Sequence, residues 1–179
     1  MTKRFSTFLL CLGLGICINT HAQSQSFLIL GDIHYDLLEN HDMEWLQKKP
    51  DDLRQVTTEY TQFTKKNWPA FSKQLRNRVK TYKPEIKAIL QLGDISEGLA
   101  GSEQKAEQMA QSVVKAVDAV AMSIPWIITK GNHDITGPGA QEAFITYYIP
   151  MFQKQLDRTD IASANYAHQI GENLFVCFD

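Results

Sequence analysis

Ala88-Ile89-Leu90-Gln91-Leu92-Gly93-Asp94-Ile95-Ser96-Glu97 is the stretch that decides the fold. Residues 88–92 are a short, mostly apolar run that stops at a glycine, and carboxylates and a hydroxyl follow at once. Such a run, bounded by a turn signal, reads as a buried strand. Glycine at its exit suits a tight turn or the close approach of a ligand to the backbone. The pattern recurs on both sides. Upstream, Phe27-Leu28-Ile29-Leu30 ends in Gly31-Asp32-Ile33-His34. Downstream, residues 124–129 end in Lys130-Gly131-Asn132-His133-Asp134.

Helical patterns separate these runs. Leu53, Val56, Tyr60 and Phe63 recur at helical spacing and read as a core-facing stripe, with Asp51 or Asp52 to cap its start. Trp68-Pro69 interrupts the pattern, and Phe71, Leu75, Val79 and Tyr82 resume it as a second helix with Pro69 near its first turn and Pro84 closing it. Residues 104–122 form a further helix with Met109, Val113, Val117 and Val120 on one face. Residues 141–152 read as helical up to Pro150. Residues 165–170 and 173–178 flank Gly171-Glu172 and read as a β-hairpin. Strands alternating with helices imply an α/β domain with a parallel sheet, whose ligands bind outside the carboxyl ends of the strands. The three polar clusters stand at those ends.

Composition sets the outer bounds. A chain of 179 residues, 44% hydrophobic and 21% charged, is long enough for one domain with a core. The net charge of −2, with no Lys/Arg run beyond two residues, gives no footprint for nucleic acid. Residues 1–22 have the layout of a secretory signal peptide: Lys3-Arg4, an apolar run over 5–18, then Thr20-His21-Ala22. The run is short of the roughly 20 apolar residues a spanning helix needs, so the expected product is secreted or periplasmic with no membrane span after signal removal. Residues 23–179 form the expected domain, with a net charge of about −4 once Lys3 and Arg4 are removed. Only Cys177 remains there, so the mature chain has no intramolecular disulfide, and the cysteine reads as a small buried hydrophobe.

The clusters also carry chemistry. Asp and His two residues apart can face one point from a strand end, and mixed Asp, His and Asn donors suit Fe, Mn or Zn. Asp94, on the neighbouring strand, could bridge two ions.

The three clusters, each after a strand, resemble the D-x-H, G-D-x-x-[DE] and G-N-H-[DE] signatures of the calcineurin-like metallophosphoesterase superfamily. The resemblance runs from Phe27 to the chain's end, with its specificity in the clusters. It implies a metallophosphoesterase-like β-sandwich flanked by helices, of which a parallel βαβαβ unit and a hairpin make roughly the first half. It implies two divalent or trivalent transition metal ions (Mn, Fe or Zn) and hydrolysis of phosphate mono- or diesters by attack of a metal-bound hydroxide. Asp32 and His34 resemble ligands of the first metal, Asp94 the bridging ligand, and Asn132 a ligand of the second. His133 resembles the histidine that protonates the leaving oxygen. Glu97 matches the position that orients that histidine, and reads equally well as a solvated loop glutamate. The Gly93–Glu97 cluster lacks the tyrosine of purple acid phosphatases, which argues against an Fe(III)-tyrosinate site.

Other polar residues read differently. Asp134 reads as a brace of its loop, His41 as a surface residue, and His168 as a half-buried strand histidine. The superfamily completes its metal sites with one isolated histidine and a Gly-His-x-His cluster, whereas only His168 follows His133 here. With the chain ending in mid-pattern at Phe178-Asp179, the expectation is the N-terminal part of a longer enzyme, its sheet left with an unpaired apolar edge. The alternative is a catalytically inactive fragment that binds a phosphorylated ligand or a partner chain. The expected partner is a small phosphorylated substrate, and oligomeric state is left open.

Overall fold

The computed structural model describes residues 24–179. The signal-peptide reading over residues 1–22 therefore lies outside the described residues. Three strands, β1 (Ser26–Leu30), β2 (Ile86–Gln91) and β3 (Trp126–Ile128), form a parallel sheet in the order β1-β2-β3. Leu30 is in register with Gln91, and Gln91 with Ile128, so all three strands end level at one edge.

The connection from β1 to β2 contains α1 (Met43–Leu46), α2 (Pro50–Gln55), a π turn (Val56–Tyr60) and α3 (Thr61–Thr81). Two expectations change here. The helix start is not capped by Asp51 or Asp52. Lys49 takes the cap position, Pro50 opens the helix, and both aspartates lie in the first turn, where they complement the helix dipole. The break at Trp68-Pro69 is absent, because α3 runs through Pro69. Pro69 and Lys65, whose carbonyl loses its donor, are both exposed, so water can take the place of the missing bond.

The stripe Leu53, Val56, Tyr60, Phe63 does not stay together. A π turn adds a residue relative to the α ladder and rotates the rest of the helix by about 100°. Val56 is buried, Phe63 is 57% exposed, and Thr61 and Thr64 turn inward instead.

The connection from β2 to β3 contains α4 (Glu103–Val120), which lays Ala106, Met109, Val113, Val117 and Val120 on the core. Each valine or methionine fully buried there stabilises the fold by about 1.5–3 kcal/mol. After β3, α5 (Ala140–Ala143), a second π turn (Phe144–Tyr148) and α6 (Ile149–Leu156) form one helical run. Pro150 does not end it. It sits in the first turn of α6, where the backbone N–H that proline lacks would have no α-helical partner.

β4 (Tyr166–Ile170) and β5 (Asn173–Cys177) pair antiparallel as the expected hairpin. Tyr166 fastens it to β3: its hydroxyl donates to Ile128 O at 2.8 Å and accepts from Ile128 N at 2.9 Å. Phe175 meets Phe27 edge to face at 4.9 Å. The α/β architecture of a partial metallophosphoesterase sandwich is thus present: a parallel three-stranded sheet, a hairpin packed against it, and flanking helices. β1 is an edge strand with Ile29 61% exposed. Cys177 is buried and has no disulfide partner among the described residues. Among the described residues, no helix is long and apolar enough to cross a membrane.

Candidate metal centre

The loops that leave β1, β2 and β3 meet at the level edge of the sheet. His34 N donates to Asp94 O at 2.9 Å, and Tyr35 N to Ile95 O at 2.8 Å, so the first two loops continue the pairing of their strands. The second and third are pressed together at Gly131. A Cβ there would overlap the backbone nitrogen and Oδ1 of Asp94, so only glycine fits. Gly93, at φ 101°, is held by Gln91: Gly93 N donates to Gln91 Oε1 and Gln91 Nε2 to Gly93 O, both at 2.8 Å.

Asp32, His34 and Asp94 all have left-handed backbones, with φ of 46°, 44° and 51°. Such conformations cost about 1–3 kcal/mol each in non-glycine residues and gather where side chains must be aimed. The result is a cluster: one ligand atom each from Asp32, His34 and Asp94 lies within 4.8 Å of the others. Asp94 Oδ1 also accepts from His133 N at 2.8 Å. Asn132 is exposed on the third loop, and its side-chain amide has no hydrogen bond to a described residue.

Behind this cluster sits Glu97, which is 0% exposed and so is no solvated loop residue. Its Oε2 is 2.7 Å from His34 Nδ1. This fixes the ring so that Nε2 is the nitrogen left for a ligand, as carboxylates behind metal-bound histidines do. Toward His133 its role differs from the expectation. His133 Nδ1 donates to the main-chain oxygen of Glu97 at 2.9 Å, while the carboxylate Oε1 stands at 3.4 Å. That Oε1 is buried with no hydrogen-bond partner. Glu97 thus lies between two histidines and bonds most closely to His34.

Charge follows geometry. Burial works against a charged His34, yet the Glu97 hydrogen bond and the charges of Glu97, Asp94 and Asp32 outweigh it and raise the imidazole's pKa. Burial raises the Glu97 carboxyl, offset in part by the His34 bond and by the charges of His133 and His34. The centre therefore holds clustered negative charge that a cation would offset.

Asp134 braces the loops. Its Oδ1 accepts from Ser96 N and Ser96 Oγ at 2.9 and 3.0 Å, and its Oδ2 from Gly131 N at 2.8 Å. His41 corrects the surface reading, being only 3% exposed. Its Nε2 is 2.7 Å from Asp36 Oδ1 and its Nδ1 3.0 Å from Leu99 O, which ties the first loop to the second. His168 is half-buried on β4 and lines a separate hollow with Trp126 and Lys154. The sequence reading also missed Tyr60, whose ring stacks on His34 with centroids 4.8 Å apart.

The donors fit one transition metal ion: two carboxylates, and an imidazole oriented from behind. Fold and site together define an α/β protein with a candidate metal centre at the carboxyl edge of its parallel sheet. A model of the calcineurin-like phosphoesterase family matches residues 26–177, and the chain belongs to that family of metal-dependent phosphoesterases. No curated protein matches the chain.

Proposed function

We propose that this protein is a secreted or periplasmic metal-dependent phosphoesterase acting on small phosphate mono- or diesters. The observation that carries the reading is the convergence of Asp32, His34 and Asp94 at the sheet edge beside His133. Asp32 and His34 would hold a first ion, Asp94 would be shared, and Asn132 would face a second. Mn, Fe or Zn bound there would activate water and neutralise charge on the phosphoryl oxygens.

The chain's own residues supply the rest. His133 commits Nδ1 to Glu97 O and leaves Nε2 free to hold a proton for the leaving oxygen. Glu97 Oε1, 3.4 Å away, gives a protonated ring its counter-charge. Asp94 fixes the backbone of the same residue through His133 N. The acid and the shared ligand are thereby held in one frame.

A second reading has its own support. Asp94 and Asn132 are few donors for a second ion, and His168 lines a different hollow. On that reading the chain holds a phosphorylated ligand, or a partner chain, without turnover. Assaying the purified chain with Mn or Zn on aryl phosphate mono- and diesters separates the two. Turnover abolished by Asp94→Asn supports the enzyme. Phosphate binding without turnover supports the second reading, and neither binding nor turnover contradicts both the enzyme and the phosphorylated-ligand reading. Export has its own test: the mature protein should begin at Gln23, and an N-terminus still carrying residues 1–22 would refute it.

A further inference from the structure

Tyr60 belongs to none of the three motifs, yet the fold delivers it to the centre. The π turn Val56–Tyr60 sets its direction. Thr61 Oγ1 donates to Val56 O at 2.8 Å, and the fully buried Val56 locks the turn in place. The Tyr60 ring lies on the face of the His34 imidazole with an interplanar angle of 28°. His133 and the same imidazole meet in a T-shaped pair, with centroids 4.8 Å apart and planes at 82°. His34 is therefore held by Tyr60 stacked on its ring, by His133 in the T-shaped contact and by Glu97 at Nδ1.

The hydroxyl is the informative part. A buried tyrosine finds a partner for its hydroxyl inside the fold, as Tyr166 does with both polar atoms of Ile128, whereas Tyr60 is only partly buried and its hydroxyl stays open to a partner from outside the chain. Tyr60 makes no hydrogen bond to a described residue, although its phenol lies within reach of the charges of Asp32, Asp94 and Glu97. All three of these neighbours are acceptors that a bound cation or His34 would engage. The phenol remains a neutral donor at the rim of the centre, suited to an anionic oxygen and unsuited to competing for a metal.

We propose that Tyr60 contacts the substrate: its hydroxyl donates to a non-bridging oxygen of the phosphoryl group, while its ring holds His34 in place. The inference rests on the phosphoesterase reading above and adds to it a phosphate-binding residue supplied by the helix after β1.

Calorimetry on the full chain tests it, first with Mn alone and then with inorganic phosphate added to the Mn-loaded protein, for wild type, Tyr60→Phe and Tyr60→Ala. Tyr60→Phe should bind Mn as wild type does and phosphate about 5- to 20-fold more weakly, the loss of one hydrogen bond to a charged group at a solvent-accessible site. Tyr60→Ala should weaken both. Phosphate affinity in Tyr60→Phe within about twofold of wild type would overturn the hydroxyl contact. Unchanged Mn affinity in Tyr60→Ala would overturn the role of the ring. Wild type that binds Mn but no phosphate contradicts the phosphoesterase reading itself and takes this inference with it, a result distinct from phosphate binding that ignores residue 60.

Discussion

Substituting His41 with alanine removes one half of a pair sealed from solvent. Asp36 is 0% exposed, and its Oδ2 already lacks a partner. Without His41, Oδ1 loses its 2.7 Å contact and Leu99 O loses the imidazole at 3.0 Å. Breaking a buried pair from one side costs about 3–5 kcal/mol, because the remaining charge stays in a low-dielectric interior. Against a total stability of about 5–15 kcal/mol, that is a large share. Urea unfolding followed by far-UV circular dichroism reads it directly. The double variant Asp36→Leu/His41→Leu removes both charges and should recover most of the loss. The sign with pH is also defined. For Asp36, burial raises the pKa despite the His41 bond, and for His41 the Asp36 bond and charge raise it against the burial penalty. Raised folded-state values mean that the His41 contribution is complete below about pH 6.5 and is lost as pH climbs through the folded-state value. Wild type should therefore lose stability as pH rises above about 6.5, and the double variant should lose less. A cost below about 1 kcal/mol for His41→Ala would refute the view that this pair ties the first loop to the second.

Substitutions at three further positions probe separate parts of the structure. Glu97→Ala should lower Mn affinity by about 10- to 100-fold, with Glu97→Gln milder because its amide oxygen can still accept from His34 Nδ1; equal affinities in all three proteins would deny Glu97 an orienting role. Pro69→Ala should stabilise the protein by about 1–3 kcal/mol in urea unfolding, since α3 runs through an exposed proline; a loss would mean that the proline marks a true helix start. Gly131→Ala should abolish Mn binding by pushing Asp94 aside, and retained affinity would show that the two loops are not packed as described.

What could be read in the sequence were features that local pattern encodes. Each strand is an apolar run with a glycine at its exit, and the polar residues after it carry their chemistry in their types. That is why the level sheet edge, the Asp32/His34/Asp94 cluster and the hairpin were legible. The supports were not, because burial of a polar side chain depends on partners far away in the chain. His41 finds Leu99 58 residues on, and Glu97 finds His34 63 residues back. Nothing beside His41 in the sequence marks it as interior. The π turn Val56–Tyr60 was invisible for another reason. A one-residue shift in helical register leaves the apolar spacing intact while moving Phe63 outward and Tyr60 onto His34. Gln91 read only as a strand residue, although its amide closes the turn at Gly93 by two bonds.

The central claim is that the three loops build a metal centre from Asp32, His34 and Asp94. Equilibrium titration of the purified chain with Mn or Zn, counted per chain and repeated on His34→Ala, tests it most directly. One tightly held ion in wild type, lost in His34→Ala, is the predicted result. No bound ion, or an ion that stays after His34 is removed, would contradict it.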